Sequence, residues 1–206
     1  MKGLILKDLL NLKGTFKTLG VMLLLFAVVF IPAGNNFVFG IIIFMFAMMV
    51  ITTISYDDLA RWDSYALTMP VTRKEIVLSK YLVLGILNIT GAILSLCVGF
   101  IGTMVMGRSF SMEILAIIGV VFLIAIVFGS VMLPLIYKFG AEKARLMLIL
   151  CALIPTGFLL LLEQLQIPIP TDANPWLYLL ILVAFTLAGL ILSYGLSLKI
   201  YEKKEF

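Results

Sequence analysis

The residues able to engage in chemistry crowd into one stretch, SYDDLARWDSYALTMPVTRKEIVLSKYL, from Ser55 to Leu82. Its side chains suit recognition rather than bond making: carboxylates at Asp57 and Asp58, cations at Arg61, Arg73 and Lys74, and aromatic rings at Tyr56, Trp62 and Tyr65. The chain has no histidine, and Cys97 and Cys151 fall inside apolar runs, where each reads as a small buried hydrophobe, so zinc chemistry and disulfides are not expected. The G-x-x-x-x-G-K-[ST] loop that cradles nucleotide phosphates is also missing.

Two helix starts are written into the stretch. Ser55, with Asp57 and Asp58 behind it, suits the exposed N–H groups and positive dipole end of a helix that Pro70 would stop. In that helix Leu59, Trp62, Ala66 and Met69 share one side and Asp57, Arg61, Ser64 and Thr68 the other, with Asp57 and Arg61 spaced for an i,i+4 ion pair. The expected product is a short amphipathic helix, too polar to cross a membrane. Thr72 and Glu75 then have capping-box spacing, and no breaker occurs until deep in the next apolar run. One helix from Arg73 to about Met106 is expected, roughly 50 Å long, so that about 20 Å projects beyond a ~30 Å hydrocarbon core.

Around this stretch the chain is nearly all apolar. With 206 residues, 63% hydrophobic and 13% charged, and a mean hydropathy of +1.21, it has too few polar groups to cover a soluble globule. The net charge of +4 is scattered between apolar runs, which argues for membrane topology and against nucleic acid. Six spans are expected, at about 18–34, 37–54, 81–106, 112–137, 146–162 and 176–199, with 55–80 as the main cytosolic loop. The fold class is therefore an all-α membrane protein with a single transmembrane domain over residues 1–206.

Residues 1–17 place Ile5, Leu9, Leu12 and Phe16 on one helical face and read as an interfacial helix in the headgroup plane; no removable signal peptide is expected. Pro134 should kink the fourth span near its end, and Pro155 lies within the fifth. Residues 1–17 hold four lysines, 55–80 four basic residues, 138–145 three and 199–206 three, against Arg108 alone on the other side. With fourteen of fifteen basic residues on one side, both termini are placed in the cytosol. Trp176 and Tyr178 fit an outer aromatic belt, Tyr81 and Tyr137 an inner one. Gly91, Ser95 and Gly99, and likewise Gly189, Ser193 and Ser197, repeat at four-residue steps, as close helix packing requires, within the chain or across a dimer.

No ionisable residue falls in the centre of any span, unlike a proton- or sodium-driven carrier, and no internal repeat is visible. Energy must enter from a separate subunit, or the protein is a passive carrier, channel or assembly factor. An uncharged interior suits an amphipathic peptide, a lipid or a hydrophobic drug better than a sugar or metal ion.

TMPVTRKEIVLSKYL resembles the L-P-[VI]-[ST]-R-K-E-I-V-x-[SG]-K-Y-L signature of ABC-2 type permeases, the membrane subunits of bacterial ATP-binding-cassette exporters. LPLIYKFGAEKAR and LILKDLLNLK resemble two further stretches of that family, and the chain is similar to its small permeases that export phenol-soluble modulin type peptides. The resemblance implies a non-enzymatic subunit of the bacterial cytoplasmic membrane, with no cofactor of its own. It also implies a second permease chain and an ATP-binding cassette ATPase subunit that carries ATP and Mg. Residues Asp57 to Met69 would be the coupling helix seated in that ATPase, with Trp62, Tyr65 and Met69 as apolar anchors and Asp58 and Arg61 as orienting charges. The alternative for the aromatic residues is that they sit at lipid headgroups. Arg73, Lys74 and Glu75 would brace the loop or meet lipid phosphates; because two cations at a helix start oppose its dipole, an external acidic partner is expected there. Glu142, Lys143 and Arg145 would make a second ATPase contact or simply form a solvated turn. Glu163, Gln164 and Gln166 would form an outer gate, a short re-entrant element or an exposed loop.

Overall fold

In a computed structural model the described residues are 1–30, 37–66, 68–107, 111–140, 143–144, 146–147 and 175–204. They form seven helices and no strand: α1 (Lys2–Asn11), α2 (Lys13–Phe30), α3 (Phe37–Leu59), α4 (Trp62–Ala66), α5 (Arg73–Val105), α6 (Met112–Phe139) and α7 (Pro175–Glu202). Five of these, α2, α3, α5, α6 and α7, are long and apolar enough to cross a membrane. All but the first two residues of the expected fifth span, 146–162, and the gate candidates Glu163, Gln164 and Gln166 lie outside the described residues, as do Glu142 and Arg145.

Helix α3 is the centre of the bundle. Its apolar window is 61% buried, against 6% for α2 and 11% for α7, so α3 meets protein on most sides while the other two run along the outside. The small-residue stripe of α5 fits against it. A β-carbon on Gly91 would sit 2.9 Å from Phe46 Cβ and 3.2 Å from Ile43 Cα, and Ser95 Oγ donates to the Phe39 carbonyl at 3.2 Å. In lipid there is no hydrophobic gain from bringing two apolar helices together, so close approach and interhelical hydrogen bonds must supply the attraction. That stripe is therefore used within the chain. Helix α6 packs on the same core through Phe128, edge-on to Phe44 at 5.4 Å, and through Gly129, which faces the Leu84 side chain. Helix α7 joins it through Ser193, which donates to the Ser130 carbonyl, and Tyr81 of α5 reaches Ser193 and Ser197 at 2.5 and 2.8 Å.

Several boundaries depart from the sequence reading. Ser55 does not start a helix: α3 continues to Leu59, and Ser55 Oγ turns back to the Ile51 carbonyl at 2.9 Å. Nothing between Ile54 and Asp58 breaks a helix, and extending one is far cheaper than nucleating another. The break comes at Arg61, whose φ of 48° is left-handed, and the amphipathic helix expected over Asp57–Met69 shrinks to Trp62–Ala66. That break also removes the i,i+4 geometry expected for Asp57 and Arg61. The interfacial helix is shorter than 1–17, since α2 already begins at Lys13, just beyond the fully buried Leu12. Its buried face is rotated as well, to Leu4, Asp8 and Leu12, with Ile5, Leu9 and Phe16 only partly covered. By contrast the Thr72 box forms as expected, and it opens the 33 residues of α5, about 50 Å. Helix α6 passes through Pro134 to Phe139.

Candidate functional site

At the polar end of the bundle, α1, the last turn of α3, α4 and the first turns of α5 converge on four charges. Asp57 closes α3, where a carboxylate meets the negative dipole end and needs compensation. It receives two lysines: Lys7 Nζ of α1 at 2.5 Å from Oδ1 and Lys80 Nζ of α5 at 2.6 Å from Oδ2. Lys80 also reaches Asp8 Oδ2 at 2.8 Å, and Lys7 lies 3.1 Å from Asp8 Oδ1, near enough to pair charge but without hydrogen-bond geometry. The result is a closed, charge-balanced ring of two lysines and two aspartates. Asp8 is 1% exposed, Lys80 4% and Asp57 7%, so the ring is an internal structure rather than a surface ornament.

The loop leaving the ring is held from both sides. Lys7 Nζ stands 4.3 Å over the Trp62 ring, a cation–π contact that ties α1 to α4. Opposite, Tyr201 near the end of α7 donates its hydroxyl to Asp63 at 3.0 Å, with Lys204 Nζ 3.8 Å from the same carboxylate. Arg73 Nη1 lies within 3.1, 2.5 and 3.3 Å of the Tyr201, Glu202 and Lys204 carbonyls. Tyr201 and Glu202 close α7, whose last carbonyls lack intrahelical donors and carry partial negative charge, and Lys204 lies just beyond it. Arg73 thus meets partial negative charge within the chain, on neutral carbonyl oxygens.

In the box before α5, the Thr72 amide donates to Glu75 Oε2 at 2.9 Å and the Thr72 hydroxyl lies 3.0 Å from the same oxygen. Those two bonds hold the Glu75 carboxyl below its ordinary range. A cavity of about 10 Å³, room for a single water molecule, lies among Asp57, Asp63, Lys80, Tyr137 and Lys204. Tyr137 packs edge-on to Tyr201 at 5.3 Å, and its buried hydroxyl has no hydrogen-bond partner among the described residues.

The candidate ATPase contacts therefore separate into two groups. Trp62 is partly covered by Lys7, Met69 is half-buried, and Arg73 and Glu75 are engaged within the chain. Asp58, Arg61, Tyr65, Lys74 and Lys143 are exposed, as are Leu59 and Tyr56, which are not among those expected contacts. Lys7, Asp8 and Lys80 were also missed as site residues. The available signal was Asp8 set between Leu4 and Leu12 at four-residue steps, a charge on an apolar stripe, and Lys80 at the mouth of an apolar run.

This arrangement ties one short segment to α1, to the end of α7 and, through the ring, to α5. No curated protein and no solved structure matches the chain. A family model described as ABC-2 family transporter protein matches residues 3–202, nearly the whole length. With five helices able to cross a bilayer and this match, the chain belongs to the ABC-2 family of transporter proteins, multi-pass membrane components of ABC transporters.

Proposed function

We propose that this chain is the permease subunit of an ATP-driven exporter in a bacterial cytoplasmic membrane, with both termini in the cytosol. Two permease chains would form the pathway, and a separate cassette subunit would bind ATP and Mg and act on the loop between α3 and α5. Family membership implies the ATPase partner; the loop supplies the place for it. The observation that carries the reading is the exposure of Leu59, 83%, and Tyr65, 58%, on a segment otherwise pinned at the foot of a 33-residue helix. Large apolar side chains held outward on a braced loop suit a partner's groove. Trp62 braces the segment from within; Leu59 and Tyr65 are the outer anchors, Asp58, Arg61 and Lys74 would add polar contacts to the same subunit, and Glu142, Lys143 and Arg145 a second contact.

The substrate class is amphipathic or hydrophobic: a peptide of the phenol-soluble modulin type, an antimicrobial peptide, a lipid or a drug. A cavity of about 390 Å³ between α2, α3 and α5, lined by Phe16, Leu23, Ile42, Phe46, Leu94 and Val98, supports this class. Of its described lining residues only Thr90 has a polar side chain, and that hydroxyl is committed to the Ile86 carbonyl.

The test is a pull-down of the tagged chain in mild detergent, comparing wild type with Leu59→Asp/Tyr65→Asp, followed by an ATPase assay on what co-purifies. A cassette ATPase present with wild type and lost with the variant is the expected result. No ATPase in either sample overturns the reading in favour of an ATP-independent carrier or an assembly factor.

A further inference from the structure

Helix α1 is attached to the bundle in an unusual way for an amphipathic helix. Its buried residues are Leu4 and Asp8, so one of its two buried side chains is an anion, and Lys7 beside it is directed inward too. Together they complete the ring with Asp57 and Lys80. A buried ion cluster is a poor way to gain stability, because desolvating four charges offsets most of their attraction and apolar replacements of the same size often do as well. What it provides is position: each charge fixes where its partners can sit, and any relative slide leaves a charge buried without its counterpart.

We propose that Lys7 and Asp8 are positioning residues that make α1 a driven part of the transporter, so that displacement of the α4 segment is passed to α1 and α5 together. The geometry supplies both links. Lys7 touches the segment at Trp62 and the ring at Asp57, while Asp57 and Lys80 join the foot of α3 to the third turn of α5. The inference rests on the ATPase acting at this loop, as proposed above.

The two α1 charges can be removed without stranding a third. Lys7→Met/Asp8→Leu leaves Asp57 and Lys80 as a neutral pair at 2.6 Å and leaves Leu59 and Tyr65 untouched. The experiment places spin labels at Leu10 on α1 and Leu82 on α5, both exposed, in the permease–ATPase complex. Distances are compared in nucleotide-free and vanadate-trapped states. In wild type one narrow population, the same in both states, is expected, since α1 and α5 move as one. In the double variant, with the ATPase still bound, trapping should abolish that single population. Lys7→Gln/Asp8→Asn, which keeps the charge balance and the size of both side chains, is the second variant should the first not give a monodisperse complex. A narrow, state-independent distance in the variant overturns the inference, as does a wild-type distance that changes on trapping. Absence of the ATPase from the wild-type preparation instead removes the reading on which it rests.

Discussion

At the level of Gly91 the helices of this bundle meet because a side chain is missing; at the level of Lys80, about 16 Å lower on α5, they meet because charges are present. Both contacts join α3 to α5. In the first, the backbone of Ile43 and the Cβ of Phe46 press on the glycine, and the attraction is dispersion summed over many atoms. In the second, two lysines and two aspartates hold one another at N···O distances of 2.5–3.1 Å. Packing of the first kind yields gradually as it is disturbed. A balanced ring does not, because removing one member leaves another buried and uncompensated. The middle of the bundle is thus built to be close, and its polar end to be registered.

The largest expected effect tests the second kind of contact. Asp57→Asn leaves Lys7 and Lys80 sharing the Asp8 carboxylate, an excess positive charge in a site where Lys80 is 4% exposed. Breaking a buried pair from one side costs about 3–5 kcal/mol. Because Lys7 keeps 21% of its side-chain surface in solvent, the lower end of that range is expected, read as a fall in the unfolding midpoint in detergent. Lys7→Met/Asp8→Leu, which keeps the charges balanced, should cost far less. Equal losses for the two variants would show that the ring acts through packing alone.

Next in size is the glycine contact itself. Gly91→Ala forces its new methyl against a backbone Cα at 3.2 Å and a Cβ at 2.9 Å, neither of which can turn away, and overpacking of this kind costs about 1–3 kcal/mol. Gly129→Ala meets only the branched end of Leu84, at 2.5 and 2.8 Å, which can change rotamer. The Gly91 variant should therefore be the less stable of the two; the reverse order would mean that Leu84 has no second rotamer in its pocket.

How far each region could be read from sequence obeys the same division. The glycine stripe was legible because close packing has a spacing, and Gly91, Ser95 and Gly99 show it. The capping box and the length of α5 were legible because Thr72 and Glu75 carry a local code and no proline interrupts the run from Arg73 to Val105. The ring was not legible, since its members come from positions 7, 8, 57 and 80 and no local rule links them. Asp57 was misassigned for the same reason. Beside Ser55 and Asp58 it looks like a residue of a helix start, whereas α3 runs through it to Leu59 and the lysines of α1 and α5 compensate its charge there. Arg73 likewise looked uncompensated, because its counterpart is a helix terminus more than a hundred residues away.

A smaller effect belongs to the local code. Thr72→Ala removes the acceptor for the Glu75 amide and should cost about 1 kcal/mol, seen as faster amide exchange in the first turn of α5. The sign of the pH dependence is set by Glu75: its carboxyl is held low, so its part of the box is present above the unfolded carboxylate range and is lost only as pH falls through the lowered value. Protection in that turn, the exchange rate relative to the intrinsic rate at the same pH, should be constant from neutral pH to about 5 and should fall in more acidic buffer.

The smallest effect is expected at the seam between α5 and α7, which lies between the two levels and combines their means. Tyr81 OH meets Ser193 at 2.5 Å and Ser197 at 2.8 Å, while its ring packs edge-on to Tyr194 at 5.6 Å. Tyr81→Phe removes the hydroxyl and leaves the ring contact. Ser193 still donates to the Ser130 carbonyl, and the buried Ser197 hydroxyl, which loses this bond, can turn to a carbonyl of the preceding helical turn. Hydrogen bonds between membrane helices average only about 0.6 kcal/mol, because the separated helices find other partners. A loss of that size, additive with Ser197→Ala only to the extent that their shared bond is counted once, is expected in a double-mutant cycle on the unfolding midpoint. A cost near that of Asp57→Asn would instead make the seam part of the registered end of the molecule, extending the charge ring upward through Tyr81, the residue next to Lys80.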